Sequence, residues 1–208
     1  MKFAGIPTAA LDFYDDLEAD NSKSFWTANK HVYDESVRAP MEALATELAP
    51  TFGEGKLFRP YRDVRFAKDK TPYKTHQGIW FGDSSVYVHV AAAGLFVAAG
   101  YWRTEPAQVE RMRRGVDHDL HGPALEKAIA GIAKKGFSIG GEQLSRVPKG
   151  FDKDHPRADL LRYKTLTASK ELGFPDWLST AKAKAEIAKQ WKAMGPLVTW
   201  LDANVGRS

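Results

Sequence analysis

The sequence predicts an α+β fold: a single domain over residues 1–208 in which a mostly antiparallel sheet is packed by N-terminal and C-terminal helices. Three observations carry the prediction. Apolar residues recur at helical spacing over residues 8–50, β-forming residues dominate from 57 to about 102, and helical spacing returns over 175–204. No internal repeat or low-complexity linker interrupts that order. A hydrophobic fraction of 43%, with six Trp and eleven Phe in 208 residues, supplies one large core.

Residues 8–18 read as a short helix capped by Thr8, with Leu11, Tyr14 and Leu17 on one face. A longer helix follows, with Ser22 or Ser24 as its cap and Phe25, Val32, Val37, Met41, Leu44 and Leu48 spaced by three or four. Pro40 removes an internal hydrogen bond, which predicts a kink or break, and Pro50 is expected to end the element. Strands are then expected at "LFRPYRDVRF", "GIWFG", "VYVHVA" and "LFVAAGYW". In the third, Val86, Val88 and Val90 alternate with Tyr87 and His89, and "AAAG" before Leu95 turns the chain into an antiparallel partner. Helices are predicted over 105–114 and 123–135, each with proline in its first turn, and Gly136 stops the second. "GFSIGGEQLSRVP" and "DLLRYKTLTASKEL" read as further strands, and the closing helix is expected to break at Gly195-Pro196.

The bulk properties exclude several classes. A net charge of +4 is far from the basic asymmetry of a dedicated nucleic-acid binder. Without cysteine there are no disulfides, no thiolate catalysis and no cysteine-based metal site. Asp and Glu in "MKFAGIPTAALDFYDDLEADN" stand where a signal peptide needs an apolar stretch, and no run approaches the roughly 18 apolar residues of a membrane span. The expectation is a cytoplasmic protein with no membrane association.

The unusual segment is "RPYRDVRFAKDKTPYKTH", residues 59–76, which carries six basic side chains, two aspartates, three aromatics and a histidine. Read as a strand, residues 59–67 put Val64 and Phe66 toward the core and send Arg62 the same way. A buried guanidinium then needs a carboxylate or water. Beyond it, Lys68, Lys70, Lys74 and His76 flank the rigid Thr71-Pro72 turn. Arginine forks and mobile lysines suit carboxylate or phosphate oxygens. The segment therefore reads either as an anion cradle or as an internal ion network in which Asp63 and Asp69 hold the arginines.

These residues also carry a resemblance. "RPYRDVRFAKDKTPYK" resembles the signature RxxRDxRFxxDKxPYK of a sparsely characterised bacterial family, domain of unknown function 2461, through Arg59, Arg62, Asp63, Arg65, Phe66, Asp69, Lys70, Pro72, Tyr73 and Lys74. "FAGIP" (3–7), "NSKSFWTANKHVY" (21–33) and "VPKGF…HP" (147–156) are similar to further family stretches. The order Phe25-Trp26 departs from the family's Trp-Phe and exchanges packing roles. The resemblance implies that the charged segment, Asn21, Asn29, Lys30, Tyr33, Lys149 and Gly150 belong to one shared design. It brings no activity with it.

Other chemistry is weaker. His118 and His121 in "DHDLHG" are three apart, but Gly122-Pro123 favours a polar turn over a metal site. His89 reads as a surface or hydrogen-bonded histidine, and Lys149-Gly150 as a turn. No phosphate loop or nucleophile elbow is present. The leading expectation is a protein binding an anionic small molecule through Arg59, Arg62, Arg65, Lys70 and Lys74, with Asp63 orienting them and Tyr73 lining the site. No cofactor and no metal is expected. The alternatives are a structural or interaction protein in which the segment is an internal brace, and a weak nucleic-acid binder that stacks bases on Tyr61 or Tyr73. No acid–base pair or nucleophile is identifiable, so the residues do not separate a binding protein from an enzyme.

Overall fold

The valine alternation at 86–90 sets the buried face of the sheet. In a computed structural model of the chain, which describes residues 2–207, β1 (Gly55–Leu57), β2 (His76–Phe81) and β3 (Val86–Ala91) pair antiparallel. The register sets Ile79 opposite Val88 and Phe81 opposite Val86, and all four side chains are buried. The expected turn at 91–94 is present and leads into β4 (Gly94–Tyr101). Gly94 has φ of 102°, and a Cβ there would lie 2.2 Å from the Gly173 carbonyl oxygen, so no side chain fits. With β5 (Ser138–Gly140) and β6 (Leu166–Gly173), the six antiparallel strands form one sheet in the order β1-β2-β3-β4-β6-β5. The fold is the α+β class that the sequence predicts.

The chain divides into two compact units, Met1–Val97 with Glu171–Gln190, and Ala98–Lys170 with Trp191–Ser208. In the first, α1 (Thr8–Ala19) buries Leu11, Phe13, Tyr14 and Leu17 and packs on β3. Its cap differs from expectation: Thr8 opens the helix, and the extended residue before it is Pro7, which has no capping side chain. Ser22 does cap α2 (Lys23–Val32), accepting from the Phe25 N–H at 3.1 Å.

Pro40 breaks nothing. α2 runs through a single π-helical stretch, Tyr33–Arg38, into α3 (Ala39–Phe52), which packs on β1 and β2. The Ala39 N–H reaches back five residues to the Asp34 carbonyl, and Pro40, which has no N–H to give, follows directly. The gap in bonding thus falls at the junction where the turn changes width. Pro50 lies inside α3 rather than at its end; the stop is Gly53, with φ of 84°. The Glu47 carboxylate on α3 accepts from the Phe3 N–H and from Lys184, tying both chain ends of this unit to the helix.

In the second unit, α4 (Pro106–Asp117) and α5 (His121–Ala133) match the expected helices to within three residues. α6 (Ala158–Leu161) is one helical turn where a strand was expected to begin, so the later strands shrink to β5 and β6. α7 (Lys182–Asn204) runs unbroken through Gly195-Pro196. Trp191, Met194, Leu197 and Leu201 are buried on both sides of that proline, and their packing holds the helix across the missing bond. Among the described residues, no helix is long and apolar enough to cross a membrane.

The larger correction is the charged segment. Residues 59–67 form no strand, and Phe66, expected in the core, is 96% exposed.

Candidate functional site

The segment is held at its two ends and closed on itself between them. Tyr61 and Tyr73 form an isolated antiparallel bridge, with the Arg62 N–H donating to the Pro72 carbonyl and the Lys74 N–H to the Pro60 carbonyl, each at 2.8 Å. Asn21 clamps the second tyrosine: its side-chain amide donates to the Tyr73 carbonyl and its oxygen accepts from the Tyr73 N–H. The Trp26 ring stacks on Tyr73 at 4.3 Å and 7° and meets Tyr33 at 4.8 Å. Tyr73, expected to line a ligand, is instead buried in this aromatic cluster.

Between the tyrosines, charges pair locally. Arg62 donates to Asp69 and to the Thr71 hydroxyl. The Thr71 N–H, Arg62 and the Thr71 hydroxyl together hold the Asp69 carboxyl down at about 2. Arg65 grips Asp63 with two parallel bonds of 2.9 and 2.7 Å, which lower that carboxyl as well. Lys70 donates to the Val64 carbonyl at 3.0 Å. Residues 62–71 are therefore a loop whose arginines find their partners within ten positions. Only the flanks differ. Lys74 lies over the Phe58 ring at 5.3 Å, where burial, and then Arg59, lower its pKa. Arg59 is exposed and forms no ion pair among the described residues, although its charge helps to lower the Asp63 carboxyl.

Arg59 lines a cleft of about 340 Å³ within the first unit, at the low end for small-molecule sites. One wall is Leu57–Tyr61. The other is a helical face carrying Trp26, Lys30, Asp34, Arg38 and Glu42, with Tyr33 beside them. These five stand four residues apart. In an α-helix each such step overshoots a full turn by about 40°, so a four-residue series drifts off its face. The wider π turn at 33–38 makes four residues fall short of a turn and reverses the drift. That single irregularity keeps Trp26 and Glu42 on one wall.

The two walls are joined through a buried bond chain. The Tyr33 hydroxyl donates to the Gln77 side-chain oxygen at 2.7 Å, and the Gln77 amide donates to the Phe58 carbonyl at 2.7 Å. Burial pushes the Tyr33 hydroxyl up to about 12, so it remains a donor at neutral pH. Along the helical wall, Lys30 pairs with Asp34 and Arg38 with Glu42 at 2.8 Å. Two buried atoms have no hydrogen-bond partner among the described residues: Trp26 Nε1 and Asp34 Oδ1. An unsatisfied buried group costs about 1–3 kcal/mol, so native structures keep few of them. Both belong to residues lining this one cleft.

The sequence pointed to Arg59, Lys30, Tyr33 and Asn21 but missed Trp26, Asp34, Arg38 and Glu42. The available signal was the alternating charge Lys30, Asp34, Arg38, Glu42 at four-residue intervals. His89 packs against His76, Tyr87 and Phe96. His118 ends α4, and its Nδ1 accepts from the Leu120 N–H. Among the described residues no three His, Asp or Glu side chains are grouped to hold a metal. Gly150, beside Lys149, has φ of 95° in an open turn.

Fold and cleft define a single-sheet α+β protein with a mixed-charge, aromatic-walled pocket beside a self-closed basic loop. The chain belongs to the family described as conserved hypothetical protein (DUF2461), whose model matches residues 9–200. No curated protein and no solved structure matches it.

Proposed function

We propose that the protein binds a small anionic molecule, carboxylate- or phosphate-bearing, in the cleft between the α2–α3 face and residues 57–61. One observation carries the reading: Arg59, an exposed guanidinium with no ion pair among the described residues, lines the cleft together with Lys30 and Arg38. Its planar fork of donors is what an anion's oxygens satisfy. Lys30 and Arg38 add positive charge to the wall while keeping their own acidic partners. Arg62, Arg65, Asp63 and Lys70 serve the ligand indirectly, by holding the loop that follows Arg59, and Tyr73 by fixing Trp26.

A thermal-shift screen of carboxylates and phosphate esters tests this. A ligand at about 100 times its Kd stabilises the native state by about 2.7 kcal/mol. For a chain of this length that is a rise of roughly 5–11 °C. The expected result is such a rise in the wild type and its loss in Arg59→Ala. No shift with any anion, or equal shifts in the variant, refutes the reading.

A second reading is supported by the Arg62–Asp69–Thr71 and Arg65–Asp63 contacts: the loop as an internal brace with no ligand of its own. It predicts that Asp63→Ala and Arg65→Ala lose fold stability together.

A further inference from the structure

We infer that the ligand of this cleft is not a bare anion but also carries a hydrogen-bond donor, an ammonium or hydroxyl group, which Asp34 accepts. The inference rests on the anion-binding reading and adds to it. Arg59 calls for oxygens that accept. Asp34 calls for the opposite. It lines the same cleft with its side chain 38% exposed, so a ligand reaches the carboxylate that Lys30 also holds. Each carboxylate oxygen has lone pairs for more than one donor. An anion alone would meet repulsion from Asp34 and Glu42 on that wall. A molecule with an anionic group at one end and a donor at the other matches both charges of the cleft. Trp26, Tyr33, Phe58 and Tyr61 give the cleft aromatic surface as well. The matching class is a small zwitterion or hydroxy acid, of which a free amino acid and an amino phosphate ester are the two simplest sources.

Two matched series distinguish the sources. The first is phenylalanine, phenyllactate and 3-phenylpropanoate, which differ only in ammonium, hydroxyl or hydrogen at one carbon. The second is phosphoethanolamine against ethyl phosphate. Each is titrated by calorimetry into the wild type, Asp34→Asn and Arg59→Gln, after melting curves establish that both variants are folded. A bond to a charged acceptor is worth about tenfold or more in affinity. The expected result is that the donor-bearing member of at least one series binds about tenfold more tightly than its bare anion. Asp34→Asn should shrink that ratio to within about threefold by weakening the donor-bearing member and relieving repulsion on the bare anion, and Arg59→Gln should weaken every member. If the bare anions bind as tightly as their donor-bearing partners, or the ratio survives Asp34→Asn, the inference is overturned and anion binding stands. If no member of either series binds, anion binding falls and the inference with it.

Discussion

Removing the Tyr33 hydroxyl probes the bond chain that joins the two walls of the cleft. Tyr33→Phe deletes one oxygen from a residue that is 3% exposed, and Gln77, its partner, is 1% exposed. Among the described residues the Gln77 oxygen has no other donor. The lost bond itself is worth about 1 kcal/mol, but stranding a buried acceptor raises the cost to about 1–3 kcal/mol. At roughly 2–4 °C for each kcal/mol in a chain of this length, the melting temperature should drop measurably. Gln77→Met removes the stranded acceptor and also the bond to the Phe58 carbonyl. The double variant should therefore be less destabilised than the sum of the singles, with a coupling of about 0.5–3 kcal/mol. Urea unfolding followed by tryptophan fluorescence reads all four proteins. If Tyr33→Phe stays within about 0.5 kcal/mol of wild type, or the two substitutions simply add, the bond chain does not hold the walls together.

The same reasoning makes three further predictions. Burial, and then His76, hold His89 down at about 3 against about 6.5 in the unfolded chain. The native state thus binds fewer protons between those values, and stability must fall as pH falls through that window, by up to ~1.4 kcal/mol per pH unit. His89→Gln, still facing His76, Tyr87 and Phe96, should flatten the slope of unfolding free energy between about pH 4 and 6; equal slopes would contradict it. Gly94→Ala forces a side chain against the Gly173 carbonyl at a positive φ, and the backbone conformation alone costs about 1–3 kcal/mol; chemical denaturation showing wild-type stability would show that the turn relaxes. Asp63→Ala and Arg65→Ala should leave the melting temperature close to wild type, because the pair is exposed and surface pairs add little. A joint loss of several degrees would instead favour the brace.

Much of the sheet was legible because its signals are local. Alternation at Val86, Val88 and Val90 names a strand and its buried face, and Gly94 marks the turn because few residues tolerate its φ. The Ser22 cap and the helices opened by Pro106 and near Pro123 are equally short-range. Prolines misled for the opposite reason. The penalty of a missing N–H is local, whereas the packing that outweighs it at Pro50 and Pro196 comes from residues distant in sequence. Residues 59–67 misled too, since their apolar alternation is real. Yet Asp69 and Thr71 capture Arg62 a few residues away, and the chain closes a loop instead of joining the sheet.

By itself, then, the sequence determined the fold class, the strands of the central sheet, the family and the segment in which charge is concentrated. Only the tertiary structure decided which of those charges are free. Arg62 and Arg65 are paired inside their own loop, while Arg59 faces a wall built from the helical residues Trp26 to Glu42, well before it in the chain. A π turn that no local residue signal announces lines up Trp26 with Asp34 and Glu42 on that wall. Whether a polar group is satisfied depends on every neighbour in space, and spacing along a chain records only the near ones.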